Sequence, residues 1–147
     1  MNDEYNLNRF VVAQAPVFGQ VVNELKSGRK RGHWMWFIFP QVKGLGSSQT
    51  AQEFAIGSLQ EAEAYLRHSL LGPRLRECAG IVATSAAASA EQIFGYPDVL
   101  KLRSSMTLFR EATADNEVFS SVLARYFGGE ADPKTTAILG SPASHSR

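Results

Sequence analysis

One cysteine, Cys78, is all the chain contains. An internal disulfide is therefore excluded, and a lone thiol without a nearby histidine motif is a poor candidate nucleophile. The three histidines, His33, His68 and His145, are isolated from one another. No Cys/His cluster and no His-x-x-x-His spacing suggests zinc, so no metal is expected. A Gly-x-Ser-x-Gly elbow, a P-loop and a complete dinucleotide fingerprint are all missing, and no cofactor is implied. Glu61 and Glu63 fall on different faces of any helix that carries them, which leaves no paired carboxylates. Metal-dependent and triad hydrolases are thereby disfavoured. The longest uninterrupted apolar run, Trp34 to Phe39, is far too short to span a bilayer. The acidic start, Met1 to Tyr5, has no apolar signal region, so a cytoplasmic location is the expectation.

What the chain does contain is helical punctuation. Its 147 residues fit one domain that can bury a core without staples. A net charge of +1 gives no strong nucleic-acid signal and argues against a DNA-coating protein. Val17, Phe18, Val21, Val22 and Leu25 form one apolar stripe ending at Gly28, with Pro16 in the first turn. Ser58 and Glu61 have capping-box spacing ahead of Leu59, Ala62, Leu66 and Leu70; Gly72 stops that helix and Pro73 opens the next. Ser89 and Gln92 form a second possible box before Ile93 and Phe94. A longer helix starts at Pro97 or Asp98 and runs to about Ala114. Another covers Asn116 to Phe127, stopped by Gly128 and Gly129, and Asp132-Pro133 opens a last one to Leu139. Trp34 to Phe39 is apolar at consecutive positions, so period does not separate a buried strand from a buried helical turn. The expectation is a mainly α, single-domain array of about six to seven short helices with little or no sheet. It occupies residues 6–139, with residues 1–5 and 140–147 as flexible termini. Leu66, Val82, Leu102, Met106, Phe109, Val122, Leu123 and Phe127 are the predicted core, and Cys78 faces inward.

Acidic residues are absent between Glu24 and Glu53, and both tryptophans sit inside that gap. Lys26, Arg29, Lys30, Arg31 and Lys43 give the segment a charge of +5 against +1 for the whole chain. Positive charge beside indole rings and glycine-rich backbone suits a flat, anionic ligand. Arg29, Lys30 or Arg31 would neutralise a phosphate, Trp34 or Trp36 would stack on a base, and His33 or Gln41 would bond a ring edge. The turn through Gly44, Gly46, Ser47 and Ser48 would offer backbone N–H groups and hydroxyls to an anion, as a small nest does. The competing reading makes Trp34, Trp36, Phe37 and Phe39 core, with the glycines in a tight turn and the basic residues solvated.

Farther along, Asp98, Lys101 and Ser105 share one helical face at i, i+3 and i+7. A lysine beside an aspartate stays protonated and serves as an anion clamp. Alternatively, Asp98 is an N-cap with an exposed ion pair worth only tenths of a kcal/mol.

The string His33-Trp34-Met35-Trp36-Phe37-Ile38-Phe39-Pro40-Gln41 resembles a bacterial domain-of-unknown-function family, numbered eighteen-ten, whose members are often mislabelled "calpastatin". The resemblance extends through Arg9-Phe10, Gln14, Gly44-Leu45-Gly46, Ser48 and Arg74-Leu75. It resumes at Asp98, Lys101-Leu102 and Ser104 to Phe109, and ends at Tyr126-Phe127-Gly128, Asp132 and Thr135 or Thr136. It implies a small, mostly helical bacterial protein and carries no activity with it. A disordered, acidic-repeat protease inhibitor is not what this sequence describes.

Joined together, the two blocks suggest a pocket for a small anionic or nucleotide-like ligand where the 29–48 segment meets the helix at Asp98. Its candidate residues are Arg29, Lys30, His33, Trp34, Gln41, Gly44, Gly46, Ser48, Asp98, Lys101 and Ser105. A metal-independent enzyme on such a ligand, for example a glycosidic-bond hydrolase, is an alternative in which His33 or Asp98 does acid/base work. A module that docks an acidic protein or RNA is another. No membrane partner is expected, and the oligomeric state is not legible.

Overall fold

Side-chain caps fix where four of the helices begin. The structure, a computed structural model, describes residues 3–140. Among them are ten helices: α1 (Asn8–Gln14), α2 (Phe18–Ser27), α3 (Met35–Ile38), α4 (Gln49–Glu53), α5 (Leu59–Arg67), α6 (Leu71–Ala83), α7 (Ala90–Phe94), α8 (Asp98–Glu111), α9 (Glu117–Phe127) and α10 (Pro133–Ile138). Ser58 Oγ accepts from the Glu61 N–H at 3.1 Å and Ser89 Oγ from the Gln92 N–H at 3.0 Å. Asp132 Oδ2 accepts from the Thr135 N–H at 3.1 Å, with Pro133 in the first turn of α10. Each such cap contributes about 1 kcal/mol by satisfying an N–H that has no partner within its helix. Gly28 and Gly128, at φ 82° and 64°, end α2 and α9 in the left-handed conformation that glycine adopts without a Cβ clash.

The architecture is all-α, as the periodicity predicts, with three helices more than the expected upper number. The additional ones are α1, α3 and α4. Trp34 to Phe39 resolves as a helical turn, α3, and not as a strand. The nearest approach to sheet among the described residues is a parallel bridge between Val42 and Ile56. There the Lys43 N–H donates to the Ile56 carbonyl at 2.8 Å. Gly72 does not stop a helix. It lies inside α6, where an added Cβ would sit 2.1 Å from the Leu66 carbonyl oxygen at the end of α5. The α5–α6 junction therefore requires glycine for close backbone approach.

Helix α8 is the centre of the packing and touches α5, α7, α9 and α10, while α6 packs on α2, α5 and α9. Residues 104–109 of α8 are buried consecutively, so this helix is embedded instead of lying on the surface. Tyr65 meets Phe109 at 5.3 Å and Phe109 meets Phe119 at 6.0 Å, which ties α5, α8 and α9 into one core. Of the predicted core, Val82, Leu102, Met106, Phe109, Val122 and Leu123 are buried. Leu66 and Phe127 are only half-buried, because they stand at or beside the last residue of α5 and α9. Cys78 is buried, and burial pushes its thiol up to about 12.

Two residues read upstream as part of the family pattern are structural ties. Arg9 donates to the carbonyls of Tyr5, Asn6, Glu53 and Ala55 and to Glu61 Oε2 at 2.9 Å, fastening α1 to the start of α5. Gln14, 1% exposed, donates to the Phe37 carbonyl and the Tyr65 hydroxyl and accepts from Arg74. Asp3 and Tyr5, assigned by sequence to a loose N-terminus, are hydrogen-bonded to residues 7–9. The tail after Gly140 lies outside the described residues.

Candidate functional site

The basic segment is organised around a buried carboxylate. Glu24, on the inward face of α2, accepts from the Arg31 N–H at 2.8 Å, the Gly32 N–H at 2.9 Å and Trp34 Nε1 at 2.9 Å, all at Oε1. Its other oxygen accepts from Gln20 Nε2 at 2.7 Å. Burial alone would raise its pKa, but four donors outweigh the lost hydration and hold it down at about 2. The anion that this loop receives through its backbone is therefore Glu24 itself. Trp34, 2% exposed, serves the core against Phe39 and Phe94 and is not available to stack on a ligand. Arg29 and His33 are exposed and line none of the clefts described below, so the segment's first half supplies structure more than a binding surface.

The segment and α8 do meet, at Asp98. Lys30 Nζ reaches Asp98 Oδ2 at 2.8 Å and Lys101 Nζ reaches Oδ1 at 3.1 Å. Lys30 also donates to the Gly32 carbonyl and lies over the Trp34 ring at 5.1 Å; Lys101 lies over the Trp36 ring at 5.2 Å. Burial would raise the Asp98 carboxyl, yet hydrogen bonds and charge from the two lysines prevail and keep it below the usual range. Asp98 is thus a bridge whose ionised form the two lysines favour. Its pair with Lys30 is partly sheltered, unlike the exposed i,i+3 pair of the simpler sequence reading.

Beside this bridge opens a cleft of about 550 Å³ between α8, the 41–48 segment and the start of α10. Trp36, Gln41, Gly46, Ser48 and Lys101 line it, as do Ser104, Asp132 and Lys134. A smaller recess adjoins it, and Gly44 lies there with Gln41 and Trp36. Gly44 has φ 106°, and an added Cβ would approach Ile138 Cδ1 at 3.4 Å. Ser48 caps α4 by accepting from the Ala51 N–H at 3.1 Å, so its oxygen is engaged in structure as well as facing the cleft. The Gln41 amide has no protein hydrogen-bond partner among the described residues, although its backbone carbonyl accepts from Ile56.

Ser105 departs from the expected site. It is fully buried, and its Oγ has no hydrogen-bond partner among the described residues. The cleft face of α8 is instead marked by Pro97, Leu100, Lys101 and Ser104, one step round from the predicted 98–101–105 face. Ser104 lies off the predicted face for that reason. Asp132 was read as a helix cap, which it is, and Lys134 carried no pattern at all.

The family described as "Protein of unknown function (DUF1810)" matches residues 4–139. The crystal structure of the conserved hypothetical protein Rv1873 from Mycobacterium tuberculosis is 59% identical over 94% of this chain and 99% of that one, with a TM-score of 0.93. No curated protein matches the chain. With its sequence matched over nearly its whole length and its helical array shared at that level of identity, the chain belongs to the DUF1810 family.

Proposed function

We propose that the cleft between α8 and the 41–48 segment binds a small ligand carrying an anionic group next to a flat ring. The observation that carries this reading is the convergence of Trp36, Gln41 and Lys101 on one cleft of about 550 Å³, within the size range of small-molecule sites. Trp36 offers a ring face and Gln41 an amide with both donor and acceptor capacity free. Lys101 uses one of three N–H groups on Asp98 and has no other acceptor among the described residues. Asp98 fixes that ammonium in place, which lowers the ordering cost of an anion clamp. The hydrolase alternative draws less support. His33 does not line the cleft, and an Asp98 held ionised by two lysines is not placed to donate a proton.

Trp34 and Trp36 are the only tryptophans, and Trp34 is sealed in the core, so a ligand-dependent change of indole emission reports chiefly on Trp36. Titration with a panel of nucleoside phosphates should change that emission and raise the melting temperature. A ligand at a hundred times its Kd adds about 2.7 kcal/mol to stability. Added salt should weaken binding, Lys101→Ala should reduce affinity while the protein stays folded, and Trp36→Phe should abolish most of the signal. Constant emission together with an unchanged melting temperature across the panel removes the proposal.

A further inference from the structure

We infer that the Asp132 end of the cleft takes a pair of hydroxyl groups, so that the ligand is a phosphorylated ring with a free cis-diol, as in a ribonucleotide. This rests on the binding proposal above and adds the class of molecule it selects.

The carboxylate of Asp132 is held asymmetrically. Oδ2 accepts from Ser104 Oγ at 3.0 Å, from the Thr135 N–H at 3.1 Å and from Thr135 Oγ1 at 2.6 Å. Oδ1 accepts from no group among the described residues, although Asp132 lines the cleft. The backbone is pinned as well: the Asp132 N–H donates to Thr107 Oγ1 at 2.9 Å, and Thr107 in turn donates to the Arg103 carbonyl at 2.8 Å. A carboxylate oxygen whose neighbour is saturated and whose backbone is tied to the central helix is preorganised to receive donors. Its lone pairs accommodate two donors, and a vicinal diol presents two hydroxyls to one carboxylate.

Charge decides between a hydroxyl and an amine. The charged residues lining the cleft are Lys101, Arg103 and Lys134 against Asp132 alone. Arg103 is turned to the Glu130 and Ala131 carbonyls, which leaves Lys101 and Lys134 facing an incoming group. An ammonium ligand would meet the ammonium groups of Lys101 and Lys134 beside a single lining carboxylate, whereas a neutral hydroxyl is not repelled by them. The same lysines keep Asp132 from repelling a phosphate elsewhere on the ligand. Ser47 and Ser48, on the opposite wall, add further hydroxyls suited to a polyol.

The test compares ribonucleoside 5′-monophosphates, their 2′-deoxy counterparts and ribose 5-phosphate, with Kd read by calorimetry and indole emission on wild type and on Asp132→Asn. Asparagine preserves the cap on α10 while removing the charge. Loss of a hydrogen bond to a charged group predicts deoxy ligands about tenfold or more weaker than ribo ligands, and a collapse of that preference in Asp132→Asn. Ribose 5-phosphate binding as tightly as the nucleotides would assign the diol to a sugar phosphate, with the inference upheld. Equal binding of ribo and deoxy forms by wild type overturns it and leaves the binding proposal standing, and that comparison decides even if the variant fails to fold. Absence of binding by every ligand overturns both.

Discussion

Replacing Glu24 by Gln keeps the side chain's shape and removes the one charge on which the basic loop is built. In the folded protein its pKa lies near 2 against an ordinary 4.5. At about 1.4 kcal/mol per pH unit, that difference places about 3 kcal/mol of stability in the ionised carboxylate at neutral pH. The folded value lies below the unfolded one, so this stability is fully present above about pH 5 and is lost as pH falls from 4.5 through 2. Glutamine still accepts from Arg31, Gly32 and Trp34, but as a neutral group, and its NH₂ must find an acceptor. The expected loss for Glu24→Gln at pH 7 is therefore about 2–3 kcal/mol, shrinking to under about 1 kcal/mol at pH 2.5. Urea denaturation of both proteins at several pH values measures this difference directly. Asp3 and Asp98 also have lowered pKa values, but they are common to both proteins and cancel. A loss below about 1 kcal/mol at pH 7, or one unchanged between pH 7 and 2.5, would refute the role assigned to Glu24.

Gly72→Ala should destabilise the protein by about 1–3 kcal/mol, because its Cβ meets the Leu66 backbone, whereas Gly80→Ala should stabilise by about 0.5–1 kcal/mol. In the second case the nearest atom is Val118 Cγ2 at 4.0 Å and α6 gains helix propensity; the two midpoints in urea check the contrast. Ser105→Ala removes a buried hydroxyl that has no partner among the described residues, so its denaturation midpoint should stay level or rise by up to about 1 kcal/mol in stability.

A side-chain cap or glycine stop beside an apolar stripe makes a helix legible in the sequence: α2, α5, α7, α9 and α10 each announce at least one end. Helices α6 and α8 are read from a proline at or near their start and from apolar spacing. Among the helices missed, α1 has Leu7 at its N-cap position, and its first N–H groups are met by Asp3 from outside the helix. Nothing periodic signals such a partner. The sequence reading misses α4 as well: its N-cap, Ser48, is read there only as part of an anion nest. Trp34 to Phe39 was illegible for a different reason. Its apolar residues serve several neighbours at once: Phe39 meets Phe94, Phe37 meets Phe54, and Trp36 faces the cleft. No single face repeats. Within the candidate site, the pairing of Asp98 with Lys101 was readable from i,i+3 spacing, while its pairing with Lys30 depends on tertiary packing. The step from Ser105 to Ser104 is one residue of helical phase, about 100° of rotation, too fine for a helix buried on so many sides.

The +5 charge of the basic segment is a poor guide to where an anion would sit, because formal charge and available donors are different quantities. The N–H groups of Arg31 and Gly32 and the indole N–H of Trp34 are consumed by Glu24, and Lys30 is held by Asp98 and the Gly32 carbonyl. The charged donors that line the cleft and remain open belong to Lys101 and Lys134, outside the segment. The segment's part is to deliver Trp36 and Gln41 to that setting. Trp34 is clamped by Glu24, and Trp36 follows two residues later in the same short helical turn, so the ring platform takes its position from a carboxylate that does not line the cleft. This separates two kinds of residue. Glu24 supports the platform and acts first on stability, with affinity following only as the loop loosens. Lys101 faces the ligand and acts on affinity first, since an ammonium lost from a cleft wall leaves the core intact.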